Sequence, residues 1–273
     1  MIYDSVGYET PFVFHWTLLD KCQFNCSYCY MENKNLYTDN TWKLVLFKLK
    51  AVNEFSIDIL GGEPMLHPHI NEIVSKLNDM NNCLKINIIS NFYEDNISFD
   101  KLKYDKVKIH MSFHPEYKIP HNKILKFNQT HAFEVDIQMH PDEKYWDSIE
   151  DMILFCQNHK IMYSVNLLHS TKTFKVLYNT QFYERFNKYI KNEIANVTHT
   201  TGSITEVKSA IDIRLEKIDY KNSICSAKMY DINISGKIKN LCTNQNLSQY
   251  GPVCCHWVCS CDDMFYFKKV KYE

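Results

Sequence analysis

Residues 12–29 read FVFHWTLLDKCQFNCSYC. Phe12 to Leu19 is apolar and rich in strand-forming residues, so it is expected as a strand. The chain then turns polar and sets Cys22, Cys26 and Cys29 on the loop that follows. The arrangement returns further on. Ser56 to Leu60 reads as a strand that runs straight into Gly61-Gly62-Glu63-Pro64. Two strands that each end in chemically loaded loops point to a parallel sheet, in which function gathers at the C-terminal strand ends.

Working outward, strand and helix patterns alternate. Thr38 to Val52 is expected as a helix capped by Thr38 or Asp39. Ile70, Ile73, Val74 and Leu77 follow the i, i+3, i+4, i+7 rule of a helix face. Lys85 to Ile89 reads as the next strand. Val107, Ile109, Met111 and Phe113 alternate with polar residues, as do Phe133, Val135, Ile137 and Met139. Ile149, Met152, Ile153 and Cys156 mark a helix, and Ile161 to Leu168 a sixth strand. Repeated βαβ units with right-handed crossovers predict an α/β fold, a partial (β/α)6 TIM-like barrel. Beyond Ser170 the pattern changes. Phe182, Phe186, Tyr189 and Ile190 suggest one more helix, residues 195–222 carry no clear pattern, and Met229–Ile234 with Lys237–Leu241 form a hairpin about Ser235-Gly236. The expected division is residues 1–195 for the barrel and 196–273 for a small Cys-rich β-hairpin extension.

Composition narrows the function classes. The 273 residues carry a formal net charge of -1, which gives no basic field for nucleic acid or an anionic membrane. No apolar run approaches the roughly 20 residues of a membrane span, and the first residues lack a signal-peptide pattern. The cytoplasm is the expected location, where structural disulfides rarely persist. The 11 cysteines are therefore expected to hold metal or do redox chemistry. Three lie at 22, 26 and 29, and six more at Cys225, Cys242, Cys254, Cys255, Cys259 and Cys261; Cys83 and Cys156 stand apart and read as small core residues.

Three closely spaced thiolates can ligate three irons of a cubane and leave the fourth open. Two of only six glycines stand at Gly61 and Gly62, where they let the backbone approach a ligand, and Glu63 can accept hydrogen bonds from an ammonium group. A structural zinc site is the alternative for either cysteine group. The polar strand positions Asp58, Asn87, Ser112, Asp136, Gln138 and Asn166 either face the barrel interior or meet solvent at the strand ends. The first case makes Ser112 and Gln138 candidates for cofactor binding. His114, in SFHPEY, is a candidate substrate contact or a loop residue.

KCQFNCSYCY with an aromatic Tyr28 before the third cysteine, followed by GGEP, resembles the radical S-adenosylmethionine superfamily over roughly residues 11–170. The resemblance implies a 4Fe-4S cluster on Cys22, Cys26 and Cys29, with S-adenosylmethionine bound through its amino and carboxylate groups to the open iron. It places Glu63 on the amino group, Tyr28 near the adenine, and Ser90-Asn91 on ribose or carboxylate. Phe92 stands where relatives follow that pair with glycine, and VDIQMH lacks the glycine of a later family motif. The C-terminal cysteines resemble the SPASM/twitch extensions of the superfamily. That implies one auxiliary iron–sulfur cluster, on Cys225 and Cys242 with two or more of Cys255, Cys259 and Cys261, Cys254 being left out. An electron donor such as flavodoxin or ferredoxin is implied as a partner. The extension points to a ribosomally made peptide as substrate, to be epimerised, crosslinked or oxidised, although no N-terminal peptide-recognition domain is expected. The alternatives are a sugar or other small-molecule substrate, and a zinc-stabilised binding module with no catalysis.

Overall fold

The computed structural model describes residues 12–29, 41–93, 99–168, 178–190, 194–199, 205–209, 224–225, 229–240 and 269–271. The chain divides into two compact units. One comprises His15–Phe186 with Ile232–Lys237; the other comprises Met1–Phe14, Asn187–Asp231 and Ile238–Glu273.

The first unit alternates strands and helices: the end of β1 (Phe12–Thr17), α1 (Thr41–Leu49), β2 (Phe55–Leu60), α2 (Ile70–Asn78), β3 (Cys83–Ser90), β4 (Val107–Phe113), α3 (His121–Asn128), β5 (Phe133–Met139), α4 (Trp146–Asn158), β6 (Tyr163–Leu167) and the start of α5 (Thr180–Ile190). The strands lie in sequence order, β1-β2-β3-β4-β5-β6, and β2 to β6 pair in parallel. At the end of β1 the pairing numbers rise together: Leu18 N donates to Leu60 O and Gly62 N to Leu19 O, both at 2.8 Å. This is an open, parallel, partial-barrel sheet of the expected α/β class; among the described residues β6 pairs only with β5.

The strand sequences explain which face is covered. Burial alternates strictly along β1, β2 and β5. Ile57, Ile59, Ile86, Ile88, Ile109, Val135 and Ile137 are almost fully buried on one face, as are the helix positions Val45, Leu49, Ile73, Val74, Leu77, Ile149, Ile153 and Cys156. Cys83 and Cys156 are both buried core residues, as their isolation in the sequence suggested. Helix α3, with only Ile124 buried, has too weak an apolar stripe to be read from periodicity and was not anticipated.

In the other unit a four-stranded sheet runs β8 (Thr205–Ser209), β7 (Ile194–His199), β12 (Lys269–Lys271), β9 (Ile224–Cys225). Strands β7 and β8 occupy the stretch that carried no clear sequence pattern. The expected hairpin forms as β10 (Met229–Ile232) and β11 (Ile238–Asn240), with Tyr230 packed on Phe12 and Phe14. Its turn is closed by Gly236 N donating to Asn233 O at 2.8 Å, with Gly236 at φ +71°. Cys242, Cys254, Cys255, Cys259 and Cys261 lie outside the described residues, as do Thr38 and Asp39.

Candidate functional site

The cysteine loop leaves β1 at Leu18 and is at once tied to the turn after β2. Gly62 N donates to Leu19 O and Glu63 N to Lys21 O, both at 2.8 Å. A Cβ on Gly61 would stand 2.3 Å from Leu19 O, and one on Gly62 2.3 Å from Lys21 O. Gly61 also has φ +147°, a backbone that side-chain-bearing residues rarely adopt. The glycine pair was expected to admit a ligand. What lies against it is the chain that leads into Cys22.

Glu63 is fully buried. Its Oε1 accepts from Met65 N at 3.0 Å and from Ser90 Oγ at 2.9 Å, and its Oε2 accepts from Asn91 N at 2.7 Å. One carboxylate thus joins the ends of β2 and β3. Asn91 reaches the cysteine loop in turn. Its Oδ1 accepts from Gln23 Nε2 at 2.9 Å, and its Nδ2 donates to Cys22 Sγ at 3.4 Å.

The turn after Asn91 keeps the shape that a glycine would give. Phe92 has φ +60°, which costs a residue with a Cβ about 1–2 kcal/mol. Its ring is 1% exposed and packs on Phe127 and Phe133, with centroids 4.6 and 5.7 Å away. Lys123 Nζ donates to Phe92 O at 2.9 Å. Ring burial outweighs the backbone cost, so the departure from glycine leaves the turn in place.

On its other side the loop is held by side chains from the strand ends after β4 and β5. Asn25 N donates to Tyr117 Oη at 2.7 Å, and the Phe24 and Tyr117 rings stack at 3.7 Å and 4°. Ser27 donates to Glu116 through its N at 3.1 Å and its Oγ at 2.5 Å. His140 Nδ1 accepts from Asp142 N, so neutral His140 carries its proton on Nε2, 3.2 Å from Glu116 Oε1. Burial holds His140 below the ordinary histidine value despite the opposing Glu116 charge. Ser27, His140 and Glu116 are therefore no nucleophile–base relay, since both neighbours donate to the carboxylate. Tyr28 Oη lies 2.6 Å from His114 Nδ1, and that nitrogen is 3.6 Å from Cys26 Sγ. Burial lowers His114 to about 4, so it is neutral at pH 7.

Of the three cysteines, Cys22 and Cys26 are half-buried and Cys29 is exposed. Burial pushes Cys22 up and Cys26 up to about 12, and the neighbouring thiols' charges push the same way. The three therefore lie within electrostatic reach of one another. Among the described residues no three His, Cys, Asp or Glu side chains group around a point as the ligands of a single metal ion would.

No protein-family model matches the chain. It is 29% identical over 117 residues to 7-carboxy-7-deazaguanine synthase of Clostridium acetobutylicum, a match over 41% of this chain and half of that protein. Its fold is that of Streptococcus suis SuiB, with a TM-score of 0.60 and 16% identity over 94% of this chain and 65% of SuiB. SuiB has also been solved with S-adenosylmethionine bound, at a TM-score of 0.58, and with its precursor peptide SuiA, at 0.60. The chain spans half the length of the curated relative and less than two thirds of SuiB.

The donor set is compatible with the 4Fe-4S cluster that the sequence motif implies. Three thiols on one short loop could supply three ligands, each for its own iron, and two N–H donors face the Cys22 sulfur.

The remaining sequence candidates lie on one face of the sheet. Asn87 Nδ2 donates to Asp58 Oδ1 at 2.6 Å and Gln138 Nε2 to Ser112 Oγ at 3.1 Å. Burial raises the Asp58 carboxyl, but the hydrogen bond and charge of His15 and the Asn87 amide outweigh it and leave it below the usual carboxylate range. His110 Nδ1 and Ser164 Oγ both contact Asp136, and Lys108 pairs with Glu134. Asp58 with Asn87, Ser112 with Gln138, and Asp136 with His110 and Ser164 thus form cross-strand side-chain pairs. Asn166 sits opposite Gln138 in the β5–β6 register. His114 is legible in the sequence as a candidate, whereas Glu116, Tyr117 and His140 are brought to the loop only by the fold. The only signal was their position, in SFHPEY and VDIQMH at two further strand ends.

Proposed function

We propose that Cys22, Cys26 and Cys29 hold a 4Fe-4S cluster and that the enzyme uses S-adenosylmethionine to take hydrogen from an unactivated C–H bond of a ribosomally made peptide. The observation that carries this reading is the joining of the cysteine loop to the Glu63 turn through Gly62 N and Glu63 N. It sets a tri-thiol loop beside a buried, oriented carboxylate. When bound, the cluster supplies the one electron that cleaves S-adenosylmethionine to methionine and a 5′-deoxyadenosyl radical. In this reading Glu63, locked by Ser90 Oγ and Asn91 N, accepts from the amino group of S-adenosylmethionine. Tyr28 flanks the adenine, and Ser112 and Gln138 contribute neutral hydrogen-bonding groups to the same chamber. The peptide class is supported by the fold shared with SuiB, a protein solved with its precursor peptide.

The sequence similarity to 7-carboxy-7-deazaguanine synthase favours a second reading, a small-molecule substrate on the same radical chemistry. Neighbouring genes separate the two, a short precursor-peptide gene supporting the first and sugar-modifying genes the second. Residues 196–273 are proposed to bind one auxiliary cluster through Cys225, Cys242 and members of Cys255, Cys259 and Cys261, in a cytoplasmic enzyme served by flavodoxin or ferredoxin. No helix among the described residues is long and apolar enough to cross a membrane.

The test is anaerobic reconstitution followed by iron and sulfide analysis and by assay with S-adenosylmethionine and dithionite. The wild-type chain is expected to release 5′-deoxyadenosine, and Cys26→Ala to release none. A colourless, zinc-loaded protein that forms no 5′-deoxyadenosine would leave only the binding-module reading. Deuterium transfer from a labelled peptide into 5′-deoxyadenosine identifies the substrate class.

A further inference from the structure

Asn91 is 4% exposed, and its backbone N and both ends of its side-chain amide are engaged. Its backbone N donates to Glu63 Oε2 at 2.7 Å, which fixes the residue at the end of β3. Its Oδ1 accepts from Tyr93 N at 3.2 Å and from Gln23 Nε2 at 2.9 Å. A backbone N–H is only ever a donor, so the Tyr93 contact alone determines which end of the amide is oxygen. The other end, Nδ2, is thereby aimed at Cys22 Sγ, 3.4 Å away. Phe24 N donates to the same sulfur at 3.3 Å. Cys22 therefore receives two N–H groups whose direction the fold determines. At Cys26 the corresponding neighbour is His114 Nδ1 at 3.6 Å, which Tyr28 Oη also engages at 2.6 Å.

We propose that Asn91 tunes the cluster's reduction potential by donating a hydrogen bond to the Cys22 thiolate, a positioning role distinct from any contact with S-adenosylmethionine. The inference rests on the reading of Cys22 as a cluster ligand. Hydrogen bonds to ligand sulfurs are among the determinants of iron–sulfur potentials. A fixed N–H dipole stabilises the more negative, reduced cluster more than the oxidised one, so the Asn91 amide raises the potential. An electron then enters the cluster more readily. The same residue links that control to Glu63, because its backbone and its side chain hold the two halves of the site.

The experiment is a redox titration of the reconstituted full chain without S-adenosylmethionine, followed by the electron paramagnetic resonance signal of the reduced cluster. Iron and sulfide are counted for every variant. At the wild-type midpoint, the reduced-to-oxidised ratio in Asn91→Ala is expected to fall about threefold, the order of one lost hydrogen bond. Asn91→Asp keeps the shape and both accepted hydrogen bonds but turns an oxygen toward the sulfur. It should lower the ratio further, and it reads the donor even where Asn91→Ala loses iron. An unchanged ratio in Asn91→Asp with full iron overturns the inference and leaves Cys22 as a ligand. Full iron and an unaltered signal in Cys22→Ala would instead overturn the ligand reading beneath it.

Discussion

The cysteine loop is gripped on two flanks by different means. Toward β2 the grip is backbone on backbone: Gly62 N to Leu19 O and Glu63 N to Lys21 O, at a separation that no Cβ can share. Toward β4 and β5 it is made of side chains: Tyr117 on Asn25, Glu116 on Ser27, His114 on Tyr28, and His140 behind Glu116. The first flank admits one residue type and so writes itself into the sequence as Gly-Gly. The second needs an acceptor, a ring and a carboxylate at the right places, which many residue choices can supply. A close backbone approach is legible to a reader of one sequence, and a side-chain grip is not.

The contrast predicts unequal sensitivity. Gly62→Ala should do the greatest damage, since its Cβ would meet Lys21 O at 2.3 Å and Asp20 O at 2.6 Å, both backbone atoms. More than about 4 kcal/mol of unfolding free energy is expected to be lost, with failure to retain iron; a variant that melts like wild type would remove the argument for the backbone flank. Next comes Phe92, which extends that flank through Asn91. Phe92→Ala should cost about 3 kcal/mol by denaturant titration, from the cavity left beside Phe127 and Phe133. Phe92→Gly should cost about 1 kcal/mol less than the alanine, because glycine relieves the positive φ. The reverse order would show that the turn carries no strain.

The side-chain flank should yield more gently. Glu116→Gln keeps an acceptor for Ser27 but trades a carboxylate for an amide. A loss of about 1–2 kcal/mol is expected, read by thermal unfolding of the metal-free chain. Smallest of all, Tyr117→Phe preserves the stack on Phe24 and removes only the acceptor for Asn25 N. About 0.5–1 kcal/mol is expected from the same melt. If Tyr117→Phe proves as harmful as Gly62→Ala, the two flanks do not differ in the way described.

By itself the sequence determined the strand–helix alternation, because two-residue and 3.6-residue periodicities are local properties of the chain. It determined the cysteine spacing and the glycine pair for a similar reason, namely that thiolate ligation and close backbone approach each permit few residue types. Helix α3, with one buried position, and β7 and β8 left no comparable trace. Tertiary structure alone decided that Gly61 and Gly62 face the chain leading into Cys22, that Phe92 holds a glycine-like turn through burial of its ring, and that Asn91 turns its amide N–H toward the Cys22 sulfur. Each of these depends on partners far apart in sequence, brought together by parallel pairing of strands whose ends no local pattern relates.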